Sequence, residues 1–154
     1  MPELVGIGVG PGDPDLLTVK AVKAIQNADT IMCPASAEDR PSIALSVVDS
    51  LIDKSKNQEI VKLIFPMTKD KDILEAHWKE NSKIMAEKVL SGKNAVYLTV
   101  GDPYLYSTWI YMHREISQNH PDMKITVIPG IVSMFTFASK VGISIAEGAE
   151  KVAI

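Results

Sequence analysis

The feature that most constrains this chain is a fivefold alternation between short apolar runs and longer stretches with helical spacing. The runs are Leu4–Val9, Thr30–Cys33, Ile60–Phe65, Ala95–Val100 and Ile125–Ile128. They are rich in Val, Ile and Leu and lack the in–out alternation of a sheet wetted on one side, so each reads as a strand covered on both faces. Between them, helical spacing predicts helices over Leu17–Ala28, Ser42–Ile52, Lys71–Leu90, Leu105–Ser117 and Ile131–Val141. Leu17, Val19, Val22 and Ile25 share overlapping faces of the first helix, and Ser42 is a candidate cap for the second. Gly92 and Gly142 close the third and the last. Strands alternating with helices predict an α/β fold, a five-stranded, mostly parallel sheet with helices on both faces. At 154 residues and 46% apolar composition the chain can bury one core, and one domain is the default.

A formal net charge of −3 gives no global positive field for a nucleic-acid backbone or an anionic membrane surface, so neither partner is expected. No apolar run reaches the length of a membrane span, and no basic leader precedes the first strand. A single cysteine, Cys33, provides neither a disulfide framework nor a CxxC pair, which fits the cytoplasm. Cys33 itself reads as a small buried hydrophobe. His77, His113 and His120 stand in no HxxxH or HExxH spacing, so no protein-bound metal is expected. Met134, Phe135 and Phe137 are expected to pack into the core.

In an open parallel sheet, ligands bind beyond the carboxyl ends of the strands, where loops converge and helix N-termini present free N–H groups. Four proline-containing loops fall at that edge: Gly10–Pro14, Cys33–Ser36, Gly101–Tyr106 and Pro129–Ser133. The first is not a dinucleotide fingerprint. From Gly6 and Gly8 the third glycine of GxGxxG would fall at Pro11, and from Gly8 and Gly10 at Asp13. It reads instead as a stiff turn with Asp13 or Asp15 near a helix start.

The second loop continues through Glu38, Asp39, Arg40 and Pro41. The chain has two arginines, Arg40 and Arg114, and a guanidinium holds a carboxylate bidentately. Arg40 is therefore the candidate for a substrate carboxylate, with a solvated, helix-capping loop as the competing reading. In the third loop Asp102 is a carboxylate at the ligand edge, able to accept hydrogen bonds or a proton, with Gly101 permitting close approach and Pro103 stiffening the turn. An Asp-Pro helix start that needs no ligand is the competing reading there. In the fourth loop, backbone groups of Val132 and Ser133 could meet an adenine or ribose.

Taken in order, these loops resemble the tetrapyrrole methylase family, whose members open with a GPGDP turn, follow the fourth strand with Gly-Asp-Pro and the fifth with Pro-Gly. Within that family, Phe65-Pro66-Met67-Thr68, the helix carrying Trp78, Tyr106-Ser107-Thr108 and Tyr111-x-His113-Arg114 resemble the precorrin-2 or cobalt-factor II C(20)-methyltransferases. The resemblance implies S-adenosyl-L-methionine as cofactor, in a site lined by Pro11, Gly101, Asp102, Leu105, Tyr106, Val132 and Ser133. It implies methyl transfer to C-20 of a tetrapyrrole substrate, with Asp102 as first candidate for the base, Tyr106 beside the sulfonium, and Arg40 and Tyr104 toward the substrate. It also implies a homodimer, and a second α/β domain supplying the other wall of the cleft. On that reading residues 1–145 are the N-terminal domain, residues 146–154 begin the second with a strand starting at Ala153-Ile154, and this chain alone has little or no activity. Diphthine synthase-like and ribosomal RNA methyltransferase-like enzymes, or a non-catalytic cofactor-binding module, are the alternatives.

Overall fold

In the computed structural model, which describes residues 2–154, five strands alternate with five α-helices: β1 Leu4–Gly8, α1 Val19–Asn27, β2 Thr30–Ala35, α2 Ile43–Val48, β3 Glu59–Ile64, α3 Lys71–Leu90, β4 Ala95–Thr99, α4 Trp109–Asn119, β5 Ile125–Ile128 and α5 Ser133–Val141. The strands form one sheet in the order β3-β2-β4-β1-β5, and every strand pair in it is parallel.

That order dictates where the helices lie. From β1 the chain steps twice toward one edge, to β2 and β3, and then twice toward the other, to β4 and β5. Parallel crossovers are right-handed, so reversing the direction of travel moves the helices to the opposite face. The packing follows. Val5, Ile7, Val9, Ile31, Cys33, Val96 and Leu98 turn to one face against Ala21 and Ile25 of α1 and Ala44, Val47 and Val48 of α2. Leu4, Met32, Leu63, Ala95 and Tyr97 turn to the other, against Met85 and Val89 of α3 and Trp109, Met112 and Ile116 of α4. Successive strand residues alternate between two apolar cores, which is why the runs show no polar alternation.

Pro34 sits inside β2 without breaking it. Thr30 N–H points toward β4 and donates to Asn94 O, so the backbone groups of the even residues of β2 face that side. The β2–β4 register ends at Met32, so the missing N–H of Pro34 has no ladder partner to lose.

Local chemistry sets the helix starts. Thr18 Oγ1 accepts from Ala21 N–H, Ser42 Oγ from Leu45 N–H, and Asp70 Oδ1 from the N–H groups of Asp72 and Ile73. Gly142 ends α5 in the left-handed region at φ 68°. Several sequence expectations need correction. The buried stripe of α1 runs through Ala21 and Ile25, leaving Val19 71% exposed. After Val48, α2 gives way to a 3-10 turn over Asp49–Leu51. The fourth helix starts at Trp109 rather than Leu105, because Tyr106 takes φ 50° and cannot belong to a right-handed helix. No residue of α5 is buried; Phe135 and Phe137 are 50% and 67% exposed and do not pack into the core. Ala153 and Ile154 form no strand. Among the described residues, no helix is long and apolar enough to cross a membrane.

Candidate functional site

The carboxyl ends of β4, β1 and β5 are neighbours in the sheet, and the loops that leave them are locked together by backbone contact. Gly101 N–H donates to Gly10 O at 2.7 Å and Gly10 N–H to Gly101 O at 3.3 Å, an isolated antiparallel bridge between the first and third motif loops. Gly8, Gly101 and Gly130 meet at the same point. A Cβ on Gly130 would lie 2.0 Å from Gly101 O, and one on Gly8 would lie 2.4 Å from that oxygen and 2.6 Å from Gly130 N. Only glycine fits at either position.

Asp102 braces this junction from within. One carboxylate oxygen accepts from Gly130 N–H at 3.1 Å and the other from Tyr104 N–H at 2.9 Å. The side chain thus joins the β4–α4 loop to the β5–α5 loop and shapes its own turn. Leu105 N–H donates to Asp102 O, continuing the turn. Beyond it Tyr106 projects 88% exposed and Tyr104 53% exposed. The Tyr104 ring lies edge-on to His113, with centroids 6.0 Å apart.

Pro11 and Val132 stand on the loops brought together here, and Ser133 opens α5. A cleft of about 610 Å³ between the first loop and α5 is lined by Asp13, Leu16, Gly130, Val132, Phe135 and Thr136 among others. Thr136 Oγ1 is buried and finds no partner among the described residues. The start of α5 is also distinctive. α1, α2 and α3 receive side-chain caps, and at α4 Ser107 Oγ accepts from Trp109 N–H at 3.1 Å. Val132, the N-cap of α5, provides no such bond. Phe135 N–H turns back to Val132 O at 3.1 Å, and the Ser133 and Met134 amides are left to solvent or to a ligand, at the positive end of the helix dipole.

Arg40 does not join this cluster. It lies exposed on the β2–α2 loop, one strand beyond β4.

Ser107, Thr108 and Tyr111 of the family motifs turn out to be chiefly packing devices, while Tyr106 stays exposed. Ser107 Oγ, besides capping α4, shares a buried 2.9 Å bond with Thr99 Oγ1, and Thr108 Oγ1 lies 2.6 Å from Tyr97 Oη. Burial pushes the Tyr97 phenol well above its ordinary range, so it stays neutral. Trp78 of α3 stacks on Tyr111 of α4 at 3.9 Å and 5°, tying the two helices together. Trp109, wholly buried, occupies space that Gly6 leaves open; a Cβ there would lie 2.5 Å from the indole ring. Sequence reasoning missed Trp109, Gly8 and Gly130 as site-shaping residues. The signal was Gly6-x-Gly8, two residues without side chains in a strand otherwise strongly apolar. Cys33 is buried, and burial pushes its thiol up. Among the described residues no three of His, Cys, Asp and Glu cluster as a metal site would need.

The profile of the Tetrapyrrole (Corrin/Porphyrin) Methylases matches residues 3–154. A probable cobalt-precorrin-2 C(20)-methyltransferase of Methanocaldococcus jannaschii is 37% identical over 153 residues, covering 99% of this chain and 63% of that protein. The cobalt-precorrin-2 C(20)-methyltransferase of Salmonella typhimurium is 30% identical, with 99% and 62% covered. The chain therefore spans somewhat over three-fifths of the curated relatives it matches. The solved cobalt precorrin-4 methyltransferase CbiF superposes with a TM-score of 0.66 at 26% identity, over 95% of this chain and 53% of that one. A cobalamin-synthesis-related protein, CobF, of Corynebacterium diphtheriae shares the fold, with a TM-score of 0.77 at 21% identity over 98% and 62%. With its glycine-locked loops, its uncapped α5 and a profile match that runs almost end to end, this chain belongs to the tetrapyrrole (corrin/porphyrin) methylase family.

Proposed function

We propose that the chain is the cofactor-binding part of an S-adenosyl-L-methionine-dependent methyltransferase of cobalamin biosynthesis that acts on C-20 of precorrin-2 or cobalt-factor II. The Methanocaldococcus jannaschii and Salmonella typhimurium relatives, named as a probable cobalt-precorrin-2 C(20)-methyltransferase and a cobalt-precorrin-2 C(20)-methyltransferase, support that reading. The observation that carries the cofactor reading is the uncapped start of α5, set beside the junction of the β1, β4 and β5 loops. Free amides and a helix dipole are what a carboxylate, ribose or adenine acceptor needs, and the cleft beside them has room for such a group.

The residues fit the cofactor in the following way. Amides of Ser133 and the backbone of Val132 would take its polar end, and Pro11, Gly101 and Leu105 would form the wall, with the glycine permitting close approach. When bound, the cofactor supplies an activated methyl on a sulfonium. The protein's share is alignment and exclusion of water, in which a rigid three-loop junction holds the geometry that in-line displacement requires. Tyr106, whose backbone is left-handed and whose side chain is exposed, would cover a cationic centre with its ring. Asp102 remains the candidate base for the C-20 proton: each of its oxygens keeps a lone pair beyond the loop bond described above. A homodimer, a location in the cytoplasm and an incomplete site without further chain belong to the same reading.

Calorimetric titration of S-adenosylhomocysteine into this chain, and in parallel into a version extended to the length of its relatives, tests it. Tight binding by the extended protein and weaker binding by the short one is the expected result. No binding by either would overturn the cofactor assignment.

A further inference from the structure

The sheet order divides the carboxyl edge into two sides. The loops of the proposed cofactor site follow β4, β1 and β5, which are contiguous, and leave the loops after β2 and β3 for whatever lies across from the cofactor. On that second side one loop is held with unusual care. The β2–α2 loop runs through Glu38, Asp39, Arg40 and Pro41, all exposed. From the neighbouring edge strand β3, Lys62 extends its ammonium beneath the loop, and Nζ donates to Glu38 O at 3.1 Å and to Arg40 O at 3.2 Å. Arg40 N–H donates to Ala37 O at 3.1 Å. Both backbone groups of Arg40 are therefore bonded, and the proline that follows restricts its ψ. The Cα–Cβ direction of Arg40 is set while its side chain stays in solvent.

We propose that Lys62 is a positioning residue that presets Arg40 as the clamp for a carboxylate of the acceptor, on the β2–β3 side of the edge. The inference rests on the methyltransferase reading above. Its physical content is preorganisation: a long side chain on a floppy loop loses rotamer and loop freedom on binding, and a loop already pinned at both backbone groups of the arginine loses less. The acceptor it fits is anionic, because a guanidinium pairs with a carboxylate through two parallel bonds.

The test uses the full-length protein with precorrin-2 as acceptor, and reads KM, kcat and the affinity for S-adenosylhomocysteine for Arg40→Gln, Lys62→Met, Lys62→Arg and the Arg40→Gln/Lys62→Met double variant. Arg40→Gln is expected to raise the acceptor KM about tenfold, and Lys62→Met about three- to fivefold, with kcat and cofactor affinity within twofold of wild type. The double variant is expected to match Arg40→Gln, since Lys62 acts through Arg40, and Lys62→Arg is expected to restore most of the loss. Independent, multiplying effects in the double variant would overturn the proposal, as would an unmoved KM in Arg40→Gln. If Lys62→Met fails to fold, Arg40→Gln and Lys62→Arg still decide. A wild-type protein that binds no S-adenosylhomocysteine defeats the functional reading itself, whereas one that methylates its acceptor with a KM indifferent to Arg40 defeats only this inference.

Discussion

Replacing Gly130 with alanine tests the idea that the site is assembled by backbone-to-backbone contact. The added Cβ would sit 2.0 Å from Gly101 O, 2.7 Å from Gly8 C and 2.8 Å from Gly8 Cα. A relaxed C···O contact is about 3.4 Å, so the β5–α5 loop has to retreat by about 1.4 Å or push the other two loops aside. None of the three atoms belongs to a flexible side chain, so the strain has no cheap outlet. Overpacking of this kind costs about 1–3 kcal/mol, and the retreat also breaks the Gly130 N–H bond to Asp102, which leaves a charged acceptor short of a partner for about 1 kcal/mol more. For a chain of this size a loss of about 3 kcal/mol lowers the midpoint of thermal unfolding by roughly 6–12 °C. Gly101→Ala is the control. It serves for stability: Gly101 sits at φ 70° with no protein atom within 4 Å of an added Cβ, so its cost to the fold is about 1 kcal/mol of backbone strain. Urea unfolding of both variants, paired with titration of S-adenosylhomocysteine, separates the two effects. Gly130→Ala should lose at least tenfold in cofactor affinity, because its damage lies in the position of the uncapped α5 amides. Stability for Gly130→Ala equal to that of Gly101→Ala, or cofactor affinity for Gly130→Ala equal to wild type, would refute the steric argument.

The Glu59 carboxylate is held by Lys88, Lys93 and Thr30 at the far end of the sheet, and its pKa is lowered from 4.5 to about 2, first of all by the bond to Lys88. A group whose folded pKa is depressed stabilises the fold above its unfolded value, so this contribution should be present above about pH 4.5 and disappear as pH falls toward 2. A shift of that size on a buried group would correspond to about 3 kcal/mol, but more than a third of the Glu59 side chain is exposed, and solvent screening brings the expectation to about 1 kcal/mol. Glu59→Gln should therefore be less stable than wild type at pH 6 and indistinguishable from it near pH 2; an equal gap at both would remove the ion-pair explanation. Gly6→Ala drives a methyl into the Trp109 ring and should destabilise by about 1–3 kcal/mol, with altered tryptophan fluorescence as its local signature; wild-type stability would mean the ring moves freely. Asp102→Asn keeps one acceptor and turns a donor toward a loop amide, so about 1–2 kcal/mol of stability and at least tenfold in turnover should go, and normal cofactor binding with wild-type turnover would remove Asp102 as the base.

Much of the architecture was legible because it depends on short-range pattern. Doubly covered strands announce themselves as apolar runs, and Ser42, Gly92 and Gly142 mark helix ends through local hydrogen bonding and left-handed backbone, which need no distant partner. Three of the ligand-edge loops and the family they resemble were legible for the same reason, as turns with fixed residue types, whereas Cys33–Ala35, expected to open the second loop, continue β2 and the loop begins after them. What the tertiary structure alone decided is which residues meet. The strand order brings Gly8, Gly101 and Gly130 to one point from three separate segments of the chain, turns Asp102 into a brace between loops, and sets Lys62 under Arg40. It also gave Ser107, Thr108, Trp78 and Tyr111, motif residues of the family resemblance, packing roles, and left α5 outside the core. Each of these depends on contacts between distant parts of the chain, whereas periodicity reports only on neighbours within a few residues.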